Sequence, residues 1–292
     1  MELSAEKYIN PFTDFGFKKL FGTEVNKDLL MDFLNELIHS QGEITEVKYL
    51  NSEQLGRSAA ERRAVYDIYC KTETGETFIV EMQKAKFNFF KDRSVYYASF
   101  PIRDQGVKGN WNYCLKSVYT IGILDFVFNE SKDDKDYYHS EVKLMDTKKK
   151  TVFYDKLTFI YLEMPKFNKE IEELETRFEK WMYVLKNLPK LQELPPQLQE
   201  RIFEKIFRIA EIAKMNYEEI TEYEESLKHY RDLYSVLETA VTEAKIEAKM
   251  EGRMEEKIEI AQKLLNKKMP IEDISEATGL SKEQVKELIK EI

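Results

Sequence analysis

The chain has 292 residues, of which 42% are hydrophobic and 34% charged, with a formal net charge of −9. That length and apolar content suit roughly two globular domains and exclude a disordered chain, while the acidity argues against a protein that coats DNA through a continuous basic surface. The longest apolar stretches, such as Ser117 to Phe128, fall far short of the roughly 18 to 20 residues that span a bilayer. No signal-peptide pattern opens the sequence, so a cytoplasmic protein without membrane attachment is expected.

In chain order, Glu24 to His39 reads as a helix with Val25, Leu29, Leu30, Phe33, Leu34 and Leu37 on one face, ended by Gln41-Gly42. Ile44 to Leu50 alternates as a strand, and Asn51 to Arg62 is polar enough to be a loop. Two further strands, Ala64 to Lys71 and Thr77 to Ala85, are joined by a hairpin turn at Thr74-Gly75-Glu76. A helix from about Asn88 to Gln105 follows, and then a buried strand within Lys116 to Phe128. Beyond Pro165 the composition shifts to helix, with one helix around Lys169 to Leu188 and the next around Gln197 to Met215. These shifts predict three parts: residues 1–165, a helical region 166–235, and a charged helix with a helical tail over 236–292.

The chemistry concentrates in the hairpin. Asp67 stands in an apolar and aromatic run, Val65-Tyr66-Asp67-Ile68-Tyr69-Cys70, where an unpartnered carboxylate is costly to bury. On the next strand Glu81 and Gln83 are two residues apart, so the strand period puts them on one face. If the hairpin pairs in register, that face also carries Asp67. Two carboxylates so placed need a cation between them or one must take up a proton; the alternative is a cross-strand pair satisfied by Arg62, Arg63 or a backbone donor. Mg2+, with Mn2+ as a substitute, suits such a site because it takes hard oxygen ligands and keeps several waters. Cys70 and Cys114 lack any metal-ligand spacing and are expected to be buried, while His39, His139 and His229 stand far apart at surface or cap positions.

The order Asp67, then Glu81-x-Gln83 one hairpin later, with a helix before and a helix and strand after, resembles the PD-(D/E)XK nuclease core. More closely it resembles the Rpn group, the recombination-promoting nucleases also described as PD-(D/E)XK family transposases. The residues that carry the likeness are Thr13-Asp14-Phe15-Gly16-Phe17-Lys18-Lys19-Leu20-Phe21-Gly22, Tyr66-Asp67-Ile68-Tyr69, Gly75-Glu76, Phe78 to Gln83, and Arg93 with Tyr97. The resemblance implies an α/β fold, a restriction-endonuclease-like mixed sheet flanked by helices, followed by an all-helical C-terminal region. It also implies Asp67 and Glu81 as metal ligands, the backbone carbonyl of Met82 as a third, and Gln83 where the wider superfamily has lysine. Tyr66 stands where the family name has proline.

Glutamine offers hydrogen bonds but no charge, so a lysine from elsewhere is expected to help, Lys18 first and Lys84 second. Asp14 reads as the N-cap for Phe15 onward, with a substrate contact as the alternative. Arg93 and Tyr97, one helical turn apart, either hold DNA phosphate or pin their helix to the sheet. Phe87, Phe89, Phe90, Tyr96, Tyr97 and Phe100 read as core and helix anchor ahead of a base-stacking platform.

From Val236 to Leu265 a thin apolar stripe suits a solvated helix or a weak coiled-coil seam, which would make a homo-oligomer through the C-terminal helices. Ile271 to Val285 has the pattern of a helix-turn-helix, with Gly279 at the turn and Ser281 as N-cap. Its second helix offers Lys282, Gln284 and Lys286 to DNA, but also Glu283, Glu287 and Glu291, which repel phosphate. The functional expectation is a Mg2+-dependent endonuclease acting on double-stranded DNA, linked to recombination or to defence against mobile elements and phage. The alternatives are a catalytically inactive nuclease fold that binds DNA as a regulator, and a structural or partner-binding protein.

Overall fold

The computed structural model describes residues 6–38, 42–54, 64–86, 88–107, 109–131 and 133–290. It falls into two compact units, Met1–Tyr230 and Arg231–Ile292.

The first unit is built on a six-stranded mixed sheet in the order β1 (Val47–Tyr49), β4 (Ile68–Thr72), β5 (Thr77–Gln83), β6 (Val118–Leu124), β8 (Thr151–Glu163) and β7 (His139–Asp146). β4 pairs antiparallel with β5, whereas β5, β6 and β8 run parallel. A separate two-stranded ribbon pairs β2 (Glu53–Gln54) with β3 (Ala64–Val65).

Strand alternation divides the sheet's side chains between two helical layers. Phe78, Val80, Met82, Tyr119, Ile121, Ile123, Ile160 and Leu162 share one core with α1 (Asp14–Phe21), α2 (Lys27–Leu37), α4 (Arg177–Asn187) and α5 (Arg201–Ala210). The opposite face packs on α3 (Phe90–Asp104), through Phe90 and Ala98 over Val118, Leu124 and Tyr161, and through Phe100 over Ile79. Gly122 makes the close approach of α3 feasible: a Cβ there would stand 3.1 Å from the Tyr161 ring and 3.5 Å from the Phe90 ring.

The hairpin turn at Gly75 forms as the sequence requires, with Gly75 at φ 103° and Thr72 N–H donating to the Glu76 carbonyl at 2.9 Å. Three expectations are corrected. The helix from Glu24 begins as a 3-10 turn, Glu24–Asn26, because buried Asn26 donates its amide to the Lys19 carbonyl at 2.8 Å and bends the chain before α2. The N-cap of α1 is Thr13, whose Oγ1 accepts from Gly16 N–H at 3.0 Å, so Asp14 is the first helical residue and not the cap. Cys114 is exposed, although Cys70 is buried as expected. Among the histidines, His229 is exposed, His139 is half-buried at the start of β7, and His39 lies outside the described residues.

The strand expected over Ala64 to Lys71 is interrupted at Tyr66 and Asp67. Tyr66 N–H donates to Ser52 C=O at 3.0 Å instead of joining the main sheet. The antiparallel β7–β8 hairpin was not anticipated. The first six residues of β8 lie beyond its pairing with β6, which starts at Leu157, and pair only with β7, so this end is a free two-stranded ribbon.

α6 (Tyr217–Asn266) contributes Tyr223 to the first unit's core, where its hydroxyl accepts from Asn10 N–H at 2.9 Å. The second unit has its own small core of Ala261, Ile274, Leu280, Val285 and Leu288. There α7 (Ile271–Thr278) ends at Gly279 with φ 67°, and α8 (Lys282–Lys290) is capped reciprocally by Ser281 and Gln284, at 3.1 and 2.9 Å. Val236 and Met250, from the expected apolar stripe, are exposed. Among the described residues no helix is long and apolar enough to cross a membrane.

Candidate active site

The β4–β5 register sets Ile68 opposite Val80, which brings Asp67, in the bend just before β4, alongside the Glu81–Met82 stretch of β5. Asp67 reaches this position just outside the strand because its carboxylate replaces a ladder carbonyl: Met82 N–H donates to Asp67 Oδ2 at 2.7 Å. Glu81 and Gln83 are both buried, on the face covered by α3.

Burial and proximity set the charges. Burial pushes the Glu81 carboxyl up to about 8, the Asp67 charge adds to the rise, and the Arg93 guanidinium and the Asp67 amide oppose it. Burial raises Asp67 as well; the Met82 amide pulls it down, Asp14 pushes it up, and Lys18 and Lys84 pull it down. Lys84 is lowered by burial first, against the attraction of Asp14 and Asp67. The charges of both candidate lysines therefore act on Asp67. Lys84 follows Gln83, the last residue of β5, and is half-buried.

On the α3 side, Arg93 Nη2 donates to Gln83 Oε1 at 2.6 Å and stands 3.4 Å from Glu81 Oε2. Its guanidinium lies 5.3 Å from the Tyr97 ring centroid and 5.7 Å from that of Phe90, within cation–π range. A guanidinium has only donors. It therefore fixes which way round the Gln83 amide sits: the oxygen meets Arg93 and the NH2 group, with two donors, is turned away. Tyr97 accepts the buried Tyr66 hydroxyl on its carbonyl at 3.1 Å, and the two rings pack edge to face with centroids 5.3 Å apart. Tyr66, where the family name has proline, is thus a core anchor for α3.

α1 presents the remaining residues. A Cβ on Gly16 would lie 2.1 Å from the Asn10 carbonyl, so only glycine lets the helix start this tightly. Phe17, Leu20 and Phe21 are buried, while Asp14 and Lys18 pair at 3.1 Å on the exposed side. Of the aromatic cluster, Phe90 and Phe100 are core, Tyr96 is partly exposed, Phe89 is 79% exposed, and Phe87 lies outside the described residues. Arg62 and Arg63, the other partners considered for the two carboxylates, also lie outside them.

The donor set fits a hard divalent cation. Glu81 Oε1 is buried with no hydrogen-bond partner, beside a second carboxylate. Gln83 C=O accepts from Asp125 N–H at 2.9 Å on the β6 edge, so by strand alternation the Met82 N–H and C=O point to the β4 edge, where Asp67 is. Among the described residues no cluster of three or more His, Cys, Asp or Glu side chains is placed to hold a metal. The set is two carboxylates and a backbone carbonyl, which leaves positions for water and phosphate.

Residues 11–240 match the family described as PD-(D/E)XK nuclease family transposase. The chain belongs to this family. Residues 254–290 match the C-terminal helix-turn-helix domain of the Rpn/YhgA-like nuclease family, in agreement with α7, Gly279 and α8. No curated protein and no solved structure matches the chain. For this nuclease-family protein the sequence reading of the Rpn group and of the PD-(D/E)XK fold is correct. In its helix-turn-helix, Gln284 is spent on the cap and Lys282 pairs with Glu272 at 3.0 Å.

Proposed function

We propose that this protein is a Mg2+-dependent endonuclease that hydrolyses phosphodiester bonds in double-stranded DNA with little sequence preference, with Mn2+ able to substitute. The observation that carries the reading is the buried Oε1 of Glu81, which has no hydrogen-bond partner, in a carboxyl raised by burial and by the nearby Asp67 charge. Two raised, mutually repelling carboxylates are poorly stable by themselves and become well matched around a dication.

Asp67, Glu81 and the Met82 carbonyl would hold the ion. When bound, it supplies a water of lowered pKa and offsets charge on the scissile phosphate. Gln83, oriented by Arg93, presents its NH2 group as a donor to the attacking water or a phosphate oxygen. Lys84 and Lys18 place positive charge beside Asp67, where a phosphate would approach. Asp14 holds Lys18 at the helix start, while Tyr97 backs Arg93 and fixes α3. The helix-turn-helix adds affinity for DNA, and recombination or defence is the setting that such a cut serves.

The test is plasmid nicking by the purified full chain with Mg2+. Activity is expected to be lost in Asp67→Ala and in Glu81→Ala. Undiminished cutting by both variants ends the proposal. Retention of DNA without any metal effect, abolished by deleting residues 266–292, would instead identify a binding protein built on an inactive nuclease fold.

A further inference from the structure

Three ordinary reasons for placing a phenylalanine fail at position 89. It is not burial, because the side chain is 79% exposed. It is not backbone preference: Phe89 sits at φ 64°, ψ 27°, a left-handed conformation that is unfavourable for a bulky residue and that an asparagine tolerates far better. Nor is it helix capping, since Phe89 occupies the N-cap of α3 and makes no side-chain cap bond, where Ser, Thr, Asp or Asn is favoured. Asn88 stands immediately before it.

Its neighbours supply a reason. Phe89 C=O accepts from Arg93 N–H at 2.9 Å, so Phe89 stands one helical turn before the residue that touches both Glu81 and Gln83. It helps line a cleft of about 230 Å3 together with Phe90, Phe126, Phe128, Lys86 and Lys91, and with Asp92 and Glu130 at its rim. Lys91 Nζ stands 4.8 Å from the centre of the Phe128 ring, and its ion pair with Glu130 at 3.3 Å is exposed on both sides, the kind that a phosphate readily displaces. From Lys84 to Lys91 the sequence has three lysines, three phenylalanines and no acid, within a chain of net charge −9. Aromatic rings interleaved with cations are the chemistry that holds unstacked nucleotides.

We propose that Phe89 is a base-stacking wedge at the cleavage centre, with Lys86 and Lys91 on the flanking phosphates, and that the preferred substrate is duplex DNA carrying an unpaired nucleotide. This rests on the nuclease reading above. An unpaired base is the one that costs least to draw out of the helix, and stacking is tolerant of sequence. Discrimination is therefore by local structure and not by base identity.

The experiment measures binding of the full chain in EDTA to three probes: a perfect duplex, the same duplex with one unpaired adenine, and the matching single strand. Working without metal separates this proposal from the nuclease reading, which is judged by nicking alone. The native chain is expected to bind the bulged duplex roughly ten-fold or more tighter than the perfect one. Phe89→Ala removes that preference, the bulged and perfect duplexes then binding alike, whereas Phe89→Trp retains it. Lys86→Ala and Lys91→Ala each lower the salt dependence by about one released counterion. Equal binding of all three probes by the native chain, no detectable binding, or a uniform loss on all probes in Phe89→Ala overturns the proposal, and unchanged melting of the variants keeps a folding defect from imitating the result.

Discussion

Replacing Gln83 with lysine is expected to damage the protein, and Arg93 is the reason. The Arg93 guanidinium is 2.6 Å from the Gln83 amide oxygen. An ammonium reaching the same place would stand about 4 Å from it, and at an effective dielectric near 20 the two cations repel by about 4 kcal/mol. Attraction to Glu81 and side-chain relaxation remove part of this, while loss of the charged hydrogen bond adds about 1.5 to 3 kcal/mol. Gln83→Lys should therefore lower unfolding free energy by roughly 2 to 4 kcal/mol by urea denaturation at neutral pH. Gln83→Lys combined with Arg93→Gln should recover most of that, giving a double-mutant coupling of about 2 kcal/mol. Gln83→Glu is expected to behave in the opposite way, because a carboxylate satisfies Arg93 and stability holds, yet the site loses both amide donors and nicking falls about 100-fold. A Gln83→Lys variant as stable as the native chain and more active, with Arg93 in place, would refute the argument that Arg93 dictates the orientation of residue 83.

The raised Glu81 carboxyl makes the metal-free chain sensitive to pH. Between its unfolded value near 4.5 and about 8 the folded state holds a proton that the unfolded state has lost, so stability falls as pH rises through that window. Thermal melts in EDTA should show this decline, Glu81→Gln should flatten it, and added Mn2+ should raise the melting temperature more at pH 8 than at pH 6. A flat profile in the native chain would count against the shifted group. Lys166 is buried against Glu163 at 3.1 Å and the Tyr137 carbonyl at 3.1 Å; Lys166→Ala takes the ammonium from a buried carboxylate that also accepts from Phe128 N–H at 2.7 Å and should cost about 3 to 5 kcal/mol in urea unfolding. A loss below 1 kcal/mol would show that the pair is replaceable. In the second unit, Gly279→Ala meets a φ of 67° and should cost about 1 kcal/mol, seen as faster amide hydrogen exchange over residues 271–290 and absent if the turn readily changes shape.

The hairpin that carries the site could be read from the chain because its signals are local. Gly75 marks the turn, and alternation places Glu81 and Gln83 on one face. The link between Gln83 and Arg93 could not be read, since it joins a strand to a helix ten residues later through packing governed by Gly122 and Phe90, which lie in other elements. Thr13 outcompetes Asp14 as cap because the Gly16 amide needs an acceptor one residue earlier. The β7–β8 hairpin escaped notice for a different reason: Val142, Leu144, Met145, Val152 and Phe153 are all exposed, so its ribbon has no dry side to imprint an apolar rhythm.

That same ribbon is the part of the molecule whose length is least constrained. Residues 151–156 pair as strand with β7 and not with β6, Lys156 Nζ also donating to the Leu115 carbonyl at 3.0 Å, and register slips by the bulges at Lys143 to Met145 before the lysine-rich bend. Removing one residue would turn every later side chain over, but removing matched pairs from both strands would preserve the pleat and shorten the arm by about 7 Å per pair of residues. Nothing on the central strands would register the change. The arm is thus a natural place to splice in a tag, a fluorophore or a foreign loop while the hydrolytic centre stays as it is.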